Sequence, residues 1–448
     1  AANRPIRFTY DSSSPHRASG LTRAIYHKPE LTSNLRTWRM PSRAIPQNMQ
    51  VARGNVRVDL PEFSPLADLF SVNDIVFHKQ TNRFGRVDNL GEHLMTNHNI
   101  YTFHATALEA CDLVFGEKVP AVQQHIARIL KLPEAGQIVF APNTHEFVMR
   151  LLSCFDWAKP LTVVTTDSEF HSFHRQINRL SELDTINVIR VPTEPFASFA
   201  QRFEAAVAAQ PTDLVFFSQV FFNSGVGIKE LTGLVQQLDK VTDAMIVVDG
   251  YHGFMAVPTD LSAIAERVFY LAGSYKYAQG GEGCCFLAVP RSSEHRPIYT
   301  GWFAEFGELA NAKQGQVQYA NNGYRFAGAT MDCSALYRVL AVFELYQQQG
   351  LSVEKVQAYI QSLQQAFLAI LDEIQHPLLN RTHLLDKQNQ QQGQFLTFRF
   401  AAEEVARIAA ALKQQGIVTD YRGDRLRFGF ALYHNAADYD LSCLKDIR

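Results

Sequence analysis

Near the middle of the chain Lys276 leaves an apolar run through Gly273-Ser274-Tyr275 and enters a glycine-rich turn, Gly280-Gly281-Glu282-Gly283. Asp249 closes the preceding apolar run, Ala244-Met245-Ile246-Val247-Val248, one strand-and-helix excursion earlier. A partly desolvated lysine amine loses basicity and becomes a nucleophile. An amine that can condense with an aldehyde, paired with a carboxylate that keeps a pyridine nitrogen protonated, is what pyridoxal phosphate chemistry requires. His252, three residues after Asp249, either packs on the edge of such a ring or caps a turn.

The cofactor's phosphate needs a helix N-terminus or a nest of backbone amides. Pro142-Asn143-Thr144-His145-Glu146, between a strand and a helix, supplies a hydroxyl and free N–H groups, although an ordinary helix cap reads the same way. Glu169-Phe170-His171-Ser172-Phe173-His174 follows the next strand and offers flat groups for stacking on a pyridine ring. His171 and His174 also invite a metal reading, but no HExxH, paired-cysteine or carboxylate-rich spacing accompanies them, and no metal site is expected. Neither GxGxxG nor GxxxxGK[ST] is present, so a dinucleotide site is unsupported.

The elements that must position these residues follow from periodicity. Short apolar runs at 137–141, 161–166, 186–191, 214–218, 244–249, 268–273 and 284–289 read as buried strands, and the first five are separated by helical patterns. Helices are expected over 108–132, 169–180, 196–209, 229–241, 333–349 and 353–374. Such alternation predicts an α/β fold with a mostly parallel sheet sandwiched by helices, whose ligands sit beyond the carboxyl ends of the strands. Toward the C-terminus, strand patterns at 394–400, 416–419 and 425–430 around a helix at 405–415 predict a smaller α+β domain. The expected organisation is an N-terminal arm and extension over 1–95, a large cofactor-binding domain over 96–334 and a small domain over 335–448. The Arg-, Ser- and Pro-rich residues 1 to about 60 read as an irregular arm, and Lys387–Gly393 as a polar connector.

The chain has 448 residues and a formal net charge of −2, which gives no reason to expect a nucleic-acid or membrane-surface partner. Six scattered cysteines without a CxxC pair suggest reduced thiols in a cytoplasmic protein. No apolar run reaches the roughly 20 residues that span a bilayer.

Asp249-x-x-His252, Ser274-Tyr275-Lys276-Tyr277 with its Gly-rich turn, Gly301-Trp302 and the late Leu426-Arg427-Phe428-Gly429-Phe430 together resemble the class V group of fold-type I pyridoxal-phosphate enzymes, and within it kynureninase most. The resemblance implies Lys276 as the Schiff-base lysine and proton shuttle, Asp249 at the pyridine nitrogen and His252 beside it. It implies Phe170 stacked on the ring, Thr144, His145 and Tyr275 at the phosphate, and Ser274 among the cofactor-binding residues. Arg427 would clamp the substrate α-carboxylate, while Trp302 and Thr330 would come from the second subunit of a homodimer. The substrate would be a small amino acid, cleaved hydrolytically at Cβ–Cγ in a kynureninase-like course. The alternatives are a class V aminotransferase or C–S lyase of other specificity, and a non-catalytic binding module on the same fold.

The departures bear on the substrate. The run after Gly301-Trp302 is Phe303-Ala304-Glu305 without the histidine usual in kynureninases. Phe170-His171-Ser172-Phe173 lacks the carboxylate of their Phe-Pro-Ser-Asp, and Asn97–His104 stands where a Gly-Asn-Ser-Leu-Gly segment is expected. A cysteine desulfurase needs a thiol on the loop before the carboxylate-binding arginine. Asp420–Leu426 contains none, so desulfuration is not expected.

Overall fold

The computed structural model describes residues 49–52, 55–58, 75–78, 83–86, 113–306, 315–386 and 393–447. The chain divides into two units, Ala1–Leu60 and Pro61–Arg448. In the first, β1 (Met49–Ala52) pairs antiparallel with β2 (Asn55–Val58), so the stretch read as an irregular arm contains a short hairpin. Residues 1–48 and Asn97–His104 lie outside the described residues.

The second unit opens with the antiparallel pair β3 (Ile75–His78) and β4 (Arg83–Arg86). Its centre is a seven-stranded sheet of β5 (Ile138–Ala141), β6 (Leu161–Thr166), β7 (Ile186–Val191), β8 (Leu214–Ser218), β9 (Met245–Asp249), β10 (Val268–Gly273) and β11 (Cys285–Ala288). The strand order is β5-β11-β10-β9-β8-β6-β7. Only β11 runs antiparallel to its neighbours, β10 and β5. Five of these strands, β5 and β8 to β11, are buried along their whole length, as helices on both faces require.

α1 (Val119–Leu130) precedes this sheet, and α2 (Thr144–Leu152), α3 (His171–Leu180), α4 (Phe199–Ala208) and α5 (Leu231–Val241) lie between its first five strands. Side chains alternate across the sheet. Val139 and Ala141 pack with Phe147, Leu151, Phe173 and Ile177 of α2 and α3, whereas Ile138 and Phe140 join Val122 and Ile126 of α1 and Leu234 of α5 on the other face. Three expected helices start later than their periodicity suggested, among them α4, which begins at Phe199. α3 begins at His171 because Glu169 is buried and engaged before the first turn, and α5 begins at Leu231.

The C-terminal part holds α6 (Ser334–Gln348), α7 (Val353–Ile374), α8 (Ala402–Gln414) and an antiparallel sheet of β12 (Phe395–Arg399), β13 (Asp420–Arg422) and β14 (Arg425–Gly429), ordered β12-β14-β13. The strand expected over 416–419 does not form. Gly416 takes φ +82° directly after α8, Val418 is 80% exposed, and pairing starts only at Asp420, where a hairpin through Gly423 (φ +54°) sets the register. Of the polar connector, 387–392 fall outside the described residues. No helix among the described residues is long and apolar enough to cross a membrane.

Candidate active site

The parallel strands β6, β8, β9 and β10 end at Thr166, Ser218, Asp249 and Gly273, so their carboxyl ends bring four loops together. Gly273 permits this crowding, because a Cβ there would stand 2.5 Å from Cys285 Sγ and 2.7 Å from the Tyr251 ring. The Lys276 loop is closed by its own backbone. Ser274 N donates to Cys284 O (2.9 Å), Gly280 N to Ser274 O (2.9 Å) and Ser274 Oγ to Gly281 O (2.7 Å). The Ser274 hydroxyl therefore fixes the turn.

Lys276 Nζ lies 2.8 Å from His252 Nε2 and 3.3 Å from Nδ1, with the Phe170 and Tyr251 ring centroids at 5.0 and 4.9 Å. Burial lowers the amine's pKa to about 8; Asp249 acts against that shift, and Arg427 and Arg422 add to it. His252 is pushed well below the usual imidazole range by burial, then by Lys276 and Arg427. It is therefore neutral and can accept a hydrogen bond from the amine. The buried Asp249 carboxyl is raised to about 6 by desolvation, opposed by a hydrogen bond from Tyr251 N (2.9 Å) and by the Lys276 charge.

Behind these groups sits Glu169. Its carboxylate accepts from Thr166 Oγ1 (2.5 Å), Ser218 N (3.1 Å) and Ser218 Oγ (2.6 Å), joining the ends of β6 and β8. Ser218 is in register with Asp249 on β9, so Glu169 fixes both the strand beside Asp249 and the start of the Phe170 loop. Burial raises its pKa to about 8 despite the Ser218 and Thr166 bonds.

Phe170 meets Phe222 edge to face at 5.5 Å, and Arg427 of β14 donates to Phe222 O. Arg427 also pairs with Asp420, and its guanidinium lies 5.5 Å from the Phe395 ring centroid. The small sheet thus brings the expected carboxylate clamp to the rim of the Lys276 pocket, with Arg422 of β13 beside it.

The remaining expected residues divide. Thr144 is buried at the first turn of α2, where Asn143 caps the helix by accepting from Glu146 N (3.0 Å). His145 is exposed and its Nδ1 lies 2.8 Å from Gln176 of α3, which draws it away from the helix terminus. Tyr275, Trp302 and Thr330 are exposed, and nothing in this single chain brings Trp302 or Thr330 to Lys276. His171 and His174 engage Arg422 and Asn178. Glu169, Ser218, Phe222, Tyr251 and Arg422 were not singled out from sequence. For Glu169 one signal existed, an acid just beyond an apolar strand and three residues after Thr166.

This donor set suits pyridoxal phosphate. A depressed lysine amine, a buried carboxylate whose one side-chain hydrogen bond among the described residues comes from Tyr251 N, a flat imidazole and two aromatic rings meet at the sheet's carboxyl edge, and α2 begins just after β5, the strand beyond β11.

A search of curated proteins finds no match. Solved structures do match. The cystine C–S lyase C-DES, in complex with its product cysteine persulfide, superimposes with a TM-score of 0.60 at 19% identity, over 79% of this chain and 92% of that one. The apo cysteine desulfurase from Thermococcus onnurineus NA1 gives 0.60 at 15% identity, over 86% and 94%. The cysteine desulfurase CsdA from Escherichia coli gives 0.59 at 14%, over 86% and 95%. At these identities the likeness concerns the fold. The sequence pattern of the family described as aminotransferase class-V matches residues 98–426, most of the chain. The chain therefore belongs to the class-V aminotransferases and is a pyridoxal-phosphate-dependent enzyme of fold type I.

Proposed function

We propose that the protein acts on a small L-amino acid by removing its Cα proton with Lys276, and that the bond then broken is Cβ–S. The reading rests on one observation, the Lys276 amine held 2.8 Å from a neutral His252 in the same pocket as the buried Asp249. Bound pyridoxal phosphate supplies the sink that stabilises negative charge at Cα. Asp249 would keep the pyridine nitrogen protonated, Phe170 would cover the ring, and Thr144 with the first amides of α2 would hold the phosphate. His252 orients the amine by accepting its hydrogen bond, and Arg427 receives the substrate α-carboxylate in a bidentate pair. The Cα proton passes to Lys276 Nζ, the Cβ–S bond breaks with its electron pair on sulfur, and the proton is then available to the leaving thiolate.

C–S lysis, the alternative to kynurenine hydrolysis, is favoured on two grounds. The solved structures named above are a cystine C–S lyase and cysteine desulfurases, and none of them is a kynureninase. Kynureninase specificity finds no support beyond the sequence motifs. Three of the five described thiols also favour elimination over transfer of sulfur to the enzyme. Cys284 and Cys285 are buried with raised pKa values, Cys285 to about 12, and Cys154 is likewise raised to about 12. None of these three is a thiolate at neutral pH, and an elimination in which sulfur departs with the leaving group needs none. The test is to incubate holoenzyme with L-cystine, S-methyl-L-cysteine, L-cysteine and L-kynurenine. Pyruvate and ammonia from the sulfur amino acids are expected. Anthranilate from L-kynurenine, without pyruvate from the others, would restore the kynureninase reading, and a keto acid retaining the substrate's side chain would indicate transamination.

The enzyme is proposed to work as a homodimer. Ile298, Tyr299, Trp302, Phe306 and Val317 are exposed large hydrophobic residues on one stretch of chain, and Thr330 is exposed as well. Apolar side chains concentrated in this way mark an interaction surface.

A further inference from the structure

The small sheet carries four arginines whose surroundings differ. Arg399 and Arg425 share Glu194 and also approach Asp424, and Arg427 pairs with Asp420. Arg422 has no carboxylate partner among the described residues. Its Nη1 lies 2.9 Å from His171 Nε2, which must be the acceptor because a guanidinium only donates, and its guanidinium stands 5.7 Å from the Phe222 ring centroid. Phe222 in turn packs on Phe170, which lies 5.0 Å from the Lys276 amine. An imidazole lone pair and an aromatic face hold this cation in place and leave its charge without a carboxylate partner among the described residues, near enough for it to help lower the basicity of Lys276. A guanidinium so held is preorganised for a planar anion.

We infer that Arg422 is a specificity-determining residue that receives a second anionic group, such as a carboxylate, at the far end of the substrate side chain. The inference rests on the amino-acid reading of the site. Arg427, already anchored by Asp420 and Phe222 O, takes the α-carboxylate near the reacting carbon, and Arg422 selects substrates that carry another negative charge beyond it.

The test uses holoenzyme and two inert ligands that differ only in that charge, 2-methyl-L-glutamate and 2-methyl-L-glutamine, neither of which has a Cα proton. Their dissociation constants are measured by calorimetry for wild type, Arg422→Gln and Arg422→Lys, with the cofactor absorbance confirming an intact site in each variant. Wild type should bind the acid at least about tenfold more tightly than the amide. Arg422→Gln should bring that ratio to within about twofold of unity, and Arg422→Lys should restore part of it. If both ligands bind wild type equally, or the ratio survives in Arg422→Gln, the inference is overturned while the amino-acid reading stands. If neither ligand binds wild type, the amino-acid reading itself falls and takes the inference with it.

Discussion

Burial shifts both Lys276 and Asp249 toward their neutral forms, and both consequences can be measured. The lysine's folded pKa of about 8 lies below its ordinary 10.5, mainly through burial, so the free amine accumulates as pH rises through about 8. The rate at which apoprotein takes up pyridoxal phosphate should rise across that interval and level off above it; a rise centred near 10.5 would mean that the amine is solvated. Lys276→Ala should abolish the covalent cofactor band altogether. For Asp249 the sign is reversed from that of a salt-bridged carboxylate. Its folded pKa of about 6 exceeds the ordinary 3.8, so the folded state binds more protons than the unfolded state between these values, and stability falls as pH rises through them. Asp249→Asn, which keeps an acceptor for Tyr251 N, should stabilise the apoprotein at pH 7 by about 3 kcal/mol. The gain should vanish near pH 3.8 and be accompanied by loss of activity. A variant no more stable than wild type at pH 7 would contradict the placement of a charged, desolvated carboxylate there.

The elements divide between those a sequence displays and those only packing creates. The sheet was legible because each strand is a short apolar run bounded by turns, and Asp249 and Lys276 could be placed at strand ends on that basis. The aromatic wall was not legible. Phe222 and Tyr251 look like any aromatic near a strand, and their role depends on β6, β8 and β9 lying side by side, which local periodicity does not encode. Arg422 was hidden for a related reason, since a strand was expected over 416–419 and its pairing begins four residues later. The contact between the two sheets has the same long-range character. Glu194, which follows β7, accepts from Arg399 of β12 and Arg425 of β14. The Arg399 hydrogen bond is the main cause that lowers its pKa, so its contribution is present above 4.5 and fades as pH falls through the lowered value. Both side chains of the Arg399 pair are 36% exposed, so screening limits the effect. Glu194→Gln should cost about 1 kcal/mol at pH 7 and raise KM more than it lowers kcat, because the sheet that carries Arg427 is less firmly held. An unchanged KM would show that Arg427 is placed without this link.

At the scale of the whole molecule, the proposed homodimer would complete the site. Trp302 and Thr330, which the family resemblance assigns to a neighbouring subunit, face outward, and Trp302 forms one exposed aromatic group with Phe306, their ring centroids 5.4 Å apart. Phe303 beneath them is buried against Phe115, so the loop is anchored in the core and presents its outer side chains on a firm base. An interface built on a few buried aromatic anchors is sensitive to a single charge at its centre. Trp302→Glu should therefore convert a dimer into monomers in sedimentation experiments at micromolar protein, while circular dichroism shows the fold unchanged. Because Trp302 and Thr330 would complete the partner's pocket, the same substitution should also weaken retention of pyridoxal phosphate by about tenfold or more. A monomeric wild type would remove the shared site, and a Trp302→Glu dimer with full cofactor retention would place the interface on another face of the molecule.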